Sequence, residues 1–403
     1  MTRAAVTLDD IQAARARIAG RVRASPAPYS RPISEAAGAE VYFKLENLQL
    51  TGSFKERGAC NRLLLLTPEE RQRGVIAASA GNHAQGVAYH ARAIGIRAKI
   101  VMPRGSPLVK VTESRALGAT VILADGGYDE AFETATRIAA DENLVLIHGF
   151  DDPAVVAGQG TIGLELLEQI PALDTVLVAV GGGGLAAGVA TAIKELRPQA
   201  QVIGVQSESM PGMRAAFQQG DPTRIETART IADGIAVGKV GELGFAACRR
   251  YLDALVTVDE EEIAEAILLL LEKDKTVAEG AGAAPLAALI HRDLRIAGKT
   301  VAVIVGGGNI DVNVVSRIID RGLVKSGRVM RVRVNVPDRP GALARILSVI
   351  ASHEANILRV DHDRDAARFE LGQAAVEVVA ETRGFDHVTE ILDALRAQGF
   401  VTT

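Results

Sequence analysis

Apolar residues follow two different rhythms along this chain. In the first, short Val/Ile/Leu-rich runs stand at Val41–Leu45, Val75–Ser79, Ala98–Met102, Thr120–Leu123, Leu144–Ile147, Val176–Val180, Val202–Val205 and Val301–Val305. Between them, stretches such as Asn82–Ile94, Leu108–Leu117 and Glu130–Ala140 repeat their apolar positions at helical spacing. Unalternated apolar runs separated by helices predict parallel strands buried on both faces by crossover helices, an open α/β fold. A leading helix is expected over Leu8–Ile18, with Thr7 as N-cap and Asp10 completing an acidic capping box.

The second rhythm begins after Leu323–Arg328. There MRVRVNV alternates strictly, PDRPG turns, and Ala342–Ser352 is helical. Strands over Ile357–Asp361 and Gly372–Val379, a helix over His387–Ala397 and a short strand over Gly399–Thr402 complete the order β-α-β-β-α-β, a small split-βαβ sandwich. The expected organisation is therefore a body over residues 1–322, a linker over 323–328 and a separate domain over 329–403. A length of 403 residues suits such a division, at about 150 residues per domain.

Composition narrows the partners. Apolar residues make up 48% and charged residues 23%, which excludes disordered, collagenous and mucin-like chains. With 45 Lys+Arg against 49 Asp+Glu the net charge is -4, and no dense basic cluster is present, so nucleic acid is not expected as a partner. Aromatics are 3% with no Trp, a poor supply of stacking surfaces for bases or sugars. Cys60 and Cys248 stand far apart, excluding a disulfide scaffold or a Cys-based zinc site, and a reducing cytoplasm is the expected home. The first residues lack an apolar signal core. The uncharged run Thr175–Ile193 reaches membrane-spanning length, but four consecutive glycines inside it make it strand, turn and helix, so no membrane association is expected.

Three segments carry candidate chemistry. In Lys44-Leu-Glu-Asn-Leu-Gln-Leu-Thr-Gly-Ser-Phe-Lys55-Glu-Arg-Gly58, Lys55 opens a helix, where the positive end of the helix dipole lowers the ammonium pKa. A readily deprotonated lysine is what Schiff-base chemistry needs, although an exposed lysine at a helix start would look the same. Ser79-Ala-Gly-Asn82-His83-Ala-Gln-Gly86 follows an apolar run and opens a helix, so its backbone N–H groups suit a carboxylate; a plain helix start capped by Asn82 or Ser79 is the alternative. Gly181-Gly182-Gly183-Gly184-Leu185, again between strand and helix, lets backbone approach a phosphate closely. Gly182, Gly184 and Ala187 also fit G-x-G-x-x-A, but the next strand ends at Val205-Gln206 without an acid at its tip, which speaks against a dinucleotide. No P-loop, HExxH or GxSxG is present, and His83 and His90, seven apart, suit core or surface better than a metal.

A lysine, a carboxylate loop and a phosphate loop together define a pyridoxal phosphate enzyme acting on an amino acid. GSFKERGA, SAGNHAQG, GGGGL, IADGIAV, EGAGA and GGGNID, in this order, resemble the fold-type II pyridoxal phosphate enzymes of the tryptophan synthase β superfamily, and within it the threonine dehydratases (threonine ammonia-lyases). Val336-Pro-Asp-Arg-Pro-Gly-Ala-Leu343 resembles an ACT domain, a module that binds amino acids. The resemblance implies that Lys55 holds the cofactor as a Schiff base and takes the substrate Cα proton, and that Phe54 packs beside the ring. It further implies that Asn82 meets the 3-oxygen, Ser79 holds the substrate carboxylate, and Gly181, Gly182, Gly183, Gly184 and Leu185 cradle the phosphate. It also suggests a homo-oligomer, tetramer or dimer, with isoleucine and valine as opposing effectors at Asp338 and the Pro340-Gly341 turn.

Four positions, in three places, depart from relatives. Gly306 stands where the family carries Ser or Cys against the ring nitrogen. Ala80 replaces the second serine that serves serine racemases as a base, which disfavours racemisation. Gln206 and Gly212 occupy the places of two metal-binding acids, so no divalent site is expected there. The activity expected is deamination of L-threonine to 2-oxobutanoate, with L-serine as a slower substrate. A serine or 3-hydroxyaspartate dehydratase, or an amino-acid-binding regulator impaired at Gly306, are the alternatives.

Overall fold

The computed structural model describes residues 5–106, 108–364 and 372–402. Strands are β1 (Glu40–Leu45), β2 (Val75–Ala78), β3 (Ala98–Pro103), β4 (Thr120–Ala124), β5 (Val145–Leu146), β6 (Thr175–Ala179), β7 (Gln201–Ser207), β8 (Ala254–Val258), β9 (Thr300–Val305), β10 (Val329–Pro337), β11 (Asn356–Asp363), β12 (Gln373–Glu381) and β13 (Val401–Thr402). They fall into two units, Met1–Ile310 and Asp311–Thr403.

The first unit carries two all-parallel sheets, with strand orders β1-β9-β6-β7-β8 and β4-β3-β2-β5. The chain starts the larger sheet with β1, leaves it to build the smaller one, and returns at β6. Every residue of β2, β6 and β9 is buried, as unalternated apolar runs require of strands with helices on both faces. Val176, Val178, Val202, Ile304 and the helix Gly184–Leu196 fill the core of the larger sheet. The two faces of the smaller sheet have separate cores, around Ile100 and Met102 and around Ile76 and Val101. In parallel sheets ligands collect beyond the carboxyl ends of the strands, and each candidate segment follows such an end. The Leu8–Ile18 helix forms with the expected box: Asp10 N donates to Thr7 Oγ1 at 3.2 Å and Thr7 N to Asp10 Oδ2 at 2.9 Å.

The second unit opens with the helix Val312–Lys325, followed by an antiparallel sheet ordered β11-β12-β10-β13. β10 alternates buried and exposed positions throughout, and the helices Ala342–Ser352 and Phe385–Ala397 supply Ile346, Ile350, Ile391 and Leu395 to its core. This is the expected β-α-β-β-α-β order. The break expected over 323–328 lies instead on the end of the Val312–Lys325 helix and the turn after it, while the units divide at Ile310/Asp311. That helix continues the helical rhythm of the body without interruption, while by contact it groups with the second unit.

Candidate active site

Beyond the carboxyl ends of β1, β2, β6 and β9 the first unit encloses a cavity of about 260 Å3. Phe54, Lys55, Ser79, Asn82, Gly181–Leu185 and Gly306 all line it. Residues far apart in sequence meet because each follows a strand end of one of the two sheets.

Lys55 is placed from both sides. Phe54 N donates to Gly306 O at 2.9 Å, and Ser53 pairs with Gly307 in an isolated bridge, so the lysine starts its helix, Lys55–Leu64, against the loop after β9. Lys55 Nζ donates to Gly149 O at 2.9 Å and stands 5.2 Å from the centre of the Phe54 ring. Burial pushes its pKa down to about 8, with the Glu279 carboxyl pulling the other way. Desolvation is thus the dominant cause, where the sequence pointed to the helix end.

The segment after β2 does more than start a helix. The N-cap of Asn82–Ala93 is Gly81, which has no side-chain cap, and Ser79 Oγ accepts the Gly81 N–H at 3.2 Å. Asn82 is the first helical residue and its amide is used elsewhere: Nδ2 donates to Glu279 Oε1 at 2.7 Å, and Oδ1 accepts from Asn309 Nδ2 at 2.8 Å. Beside it, His83 Nε2 lies 3.0 Å from Ile147 O, and burial, helped by Lys55, pushes the imidazole down to about 3. His83 is a buried histidine on the cavity lining. His90 is also buried, and burial pushes it down to about 4.

The glycine loop has no room for side chains. A Cβ would lie 2.9 Å from Ile235 Cα at Gly181, 2.3 Å from the Phe150 ring at Gly182 and 2.6 Å from Phe150 O at Gly184. Gly183 has φ +95° and caps the helix Gly184–Leu196 without a side-chain bond, so the first N–H groups of that helix are offered at the cavity wall. A loop of this kind suits an anion. Gly306 differs: a Cβ there would meet only the Phe54 ring, at 3.4 Å. Gln206 uses its amide within the fold, donating to Val180 O at 3.2 Å and accepting Arg214 N at 2.9 Å.

Sequence reasoning gave no role to Glu279, Asn309, Lys110 or Asp233. Three of them lay in view, Glu279 in EGAGA, Asn309 in GGGNID and Asp233 in IADGIAV. In the structure Lys110 Nζ and Asp233 Oδ2 pair at 2.8 Å on the cavity lining. Cys60 and Cys248 are buried, and burial pushes both thiols up to about 12, disfavouring the thiolate.

A family model described as "Pyridoxal-phosphate dependent enzyme" matches residues 18–307, and an ACT domain model matches residues 330–397. An L-threonine ammonia-lyase of Thermotoga maritima is 51% identical over 98% of this chain and 98% of its own length. One from Geobacter sulfurreducens is 45% identical over 97% of each. Among solved structures, a threonine deaminase from T.th. superposes with a TM-score of 0.72 at 41% identity, covering 76% of this chain and 99% of that one. A maize serine racemase gives a TM-score of 0.75 at 33% identity, over 80% of this chain and 99% of its own.

Proposed function

The chain belongs to the pyridoxal-phosphate-dependent enzymes and carries a C-terminal ACT domain, and from that premise we propose that it is a threonine ammonia-lyase converting L-threonine to 2-oxobutanoate and ammonia. The observation that carries this reading is the convergence in one cavity of an amine, a glycine cradle and a backbone anion loop. These suit, in turn, the aldehyde and phosphate of the cofactor and the carboxylate of an amino acid. When bound, pyridoxal phosphate supplies a carbonyl for the amine and a conjugated ring that draws electrons from the substrate Cα.

The residues of the chain divide the remaining work. The N–H groups at the start of Gly184–Leu196, with Gly181–Gly183 beside them, would hold the phosphate dianion of the cofactor. Phe54 would pack along the ring, and Asn82 would offer an amide N–H to the 3-oxygen. Ser79 and the N–H groups of the following turn bind the substrate carboxylate, fixing the Cα–H bond relative to Lys55. Lys55, whose ammonium burial disfavours, takes the proton from Cα at its Nζ. The β-hydroxyl then leaves with a proton as water; a water molecule returns when ammonia is released, so the net change is threonine to 2-oxobutanoate plus ammonia. The ACT domain, residues 329–403 in our division, receives an amino-acid effector, isoleucine as inhibitor with valine opposing it, in a homotetramer or dimer. No described helix is long and apolar enough to cross a membrane; residence in the cytoplasm is part of the same proposal.

The test is release of 2-oxo acid from L-threonine and from L-serine by the purified, cofactor-loaded chain, with and without isoleucine. 2-Oxobutanoate forming faster than pyruvate, and slowed by isoleucine, is the expected result; release from neither substrate overturns it. Lys55→Ala should abolish both the visible absorbance of bound cofactor and turnover, and surviving turnover removes Lys55 from the reaction.

A further inference from the structure

Glu279 precedes the helix Gly280–His291, and it is 5% exposed on the wall of the cavity that Lys55 faces. Its N–H donates to Gly307 O at 3.0 Å, and its Oε1 accepts Asn82 Nδ2 at 2.7 Å. Two glycines make room for this meeting. A Cβ at Gly307 would lie 2.5 Å from Glu279 Oε1 and 3.1 Å from Asn82 Nδ2, and one at Gly234 would lie 3.3 Å from the same oxygen.

The other end of the Asn82 amide is held as firmly. Asn309 Nδ2 lies 2.8 Å from Asn82 Oδ1, from Thr51 O and from Gln85 Oε1, and Gln85 Nε2 donates to Glu113 Oε2 at 2.7 Å. Turning the Asn82 amide over would set a carbonyl oxygen against the Glu279 carboxyl and an NH2 against the NH2 of Asn309. The contact with Asn309, whose NH2 is fixed by Thr51 O and Gln85 Oε1, would be lost in either state of Glu279, and the contact with Glu279 would be lost while it is ionised, so the orientation of Asn82 is dictated from the Asn309 side and reinforced by the Glu279 carboxylate.

Resting on the reading of this cavity as a pyridoxal phosphate site, we propose that Glu279 is a positioning residue: with Asn309 it clamps the Asn82 side chain so that Nδ2 presents its second N–H to the cofactor 3-oxygen. The clamp is also a charge. Lys55 from the helix Lys55–Leu64, Lys110 from the helix Leu108–Ala116 and Asp233 from the turn Asp233–Ile235 face Glu279, while the loop Gly306–Asn309 brings no titratable group. Burial and then Asp233 push the carboxyl up to about 7, against the Asn82 bond and the two lysines. Below that value Glu279 is neutral; above it, a carboxylate stands beside the 3-oxygen and Lys55.

The full-length holoenzyme tests this through the visible absorbance of bound pyridoxal phosphate between about pH 5.5 and about pH 9.5. Circular dichroism checks that each variant folds. The wild-type band should change with a midpoint near 7, and this step should vanish in Glu279→Gln, whose amide oxygen still accepts from Asn82 and keeps cofactor affinity within about threefold. Glu279→Ala, with no acceptor, should lose affinity by about tenfold or more. A purely structural role predicts that both variants keep the wild-type pH profile, and that outcome overturns the proposal. So does Asn82→Ala binding the cofactor as tightly as wild type. A wild-type chain showing no visible band at all removes the cofactor reading itself, a failure distinct from either.

Discussion

Only a neutral amine attacks a carbonyl, so the rate at which the apoprotein captures its cofactor reports the neutral fraction of Lys55. Burial puts that lysine near about 8. At pH 7.4 an ordinary lysine near 10.4 is about 0.1% neutral, whereas one near 8 is about 20% neutral, a pool roughly two hundred times larger. The assay mixes apoprotein with pyridoxal phosphate in a stopped-flow cell at constant ionic strength and follows the visible band as pH is raised. The folded-state value is depressed, so capture should accelerate close to tenfold per pH unit below about 7 and level off above about 8.5. A rate still climbing tenfold per unit beyond pH 9 would refute the reasoning, because it would show an amine that burial does not affect. The Glu279 carboxyl pulls Lys55 upward, so Glu279→Gln should move the midpoint down; an upward move would refute the assigned sign.

Arg57→Met should cost about 3–5 kcal/mol in urea unfolding, because Arg57, 1% exposed, binds Glu46 with two bonds of 2.7 Å and Glu165 at 2.6 and 2.8 Å, and its loss leaves buried carboxylates short of a partner. Gly182→Ala should lower cofactor affinity more than tenfold and stability by about 1–3 kcal/mol, since the added methyl would stand 2.3 Å from the Phe150 ring; equilibrium dialysis and thermal melts measure the two. Gly306→Ser should leave the melting temperature almost unchanged, because its Cβ meets only Phe54 at an ordinary distance. If its hydroxyl reaches the ring nitrogen, turnover should rise about fivefold, the worth of one hydrogen bond, and an unchanged rate and spectrum would show that the contact is immaterial in this protein.

The sequence exposes what is local. Each segment offered as chemistry follows an apolar run, and a parallel sheet delivers such segments to one end, so Lys55, Ser79, Asn82 and the glycine loop could be read before their meeting was seen. Glu279 could not. A single Glu ahead of Gly-Ala-Gly reads as an ordinary helix start, and its partner Asn82 lies 197 positions away. Glu165 is hidden in the same way, one of two acids on the largely apolar helix Pro153–Gln169, with partners Lys44 and Arg57 more than a hundred residues earlier. Pairings of that range leave no periodic trace, because periodicity records which face of an element is buried and not what buries it. The Val312–Lys325 helix is the opposite case: its local pattern is clear, and only packing shows that it groups with the C-terminal unit.

The three consecutive charges Lys55-Glu56-Arg57 show how one helical turn serves the chemistry. Successive residues point about 100° apart, so the three side chains enter different surroundings. Arg57 goes into a buried cluster in which two cations, Lys44 and Arg57, meet two carboxylates, Glu46 and Glu165. Glu56 turns back, and its Oε2 accepts the Thr51 N–H at 2.8 Å and the Thr51 hydroxyl at 2.9 Å, while burial pushes its pKa upward. Lys55 alone of the three faces the cavity. A free carboxylate beside it would stabilise the ammonium and remove the nucleophile. Because the cluster is balanced and Glu56 is engaged elsewhere, the charge that acts on Lys55 is that of Glu279. The leading influences on the amine are its own burial and the Glu279 carboxyl across the cavity, and a Glu279→Gln substitution removes the second while leaving the first.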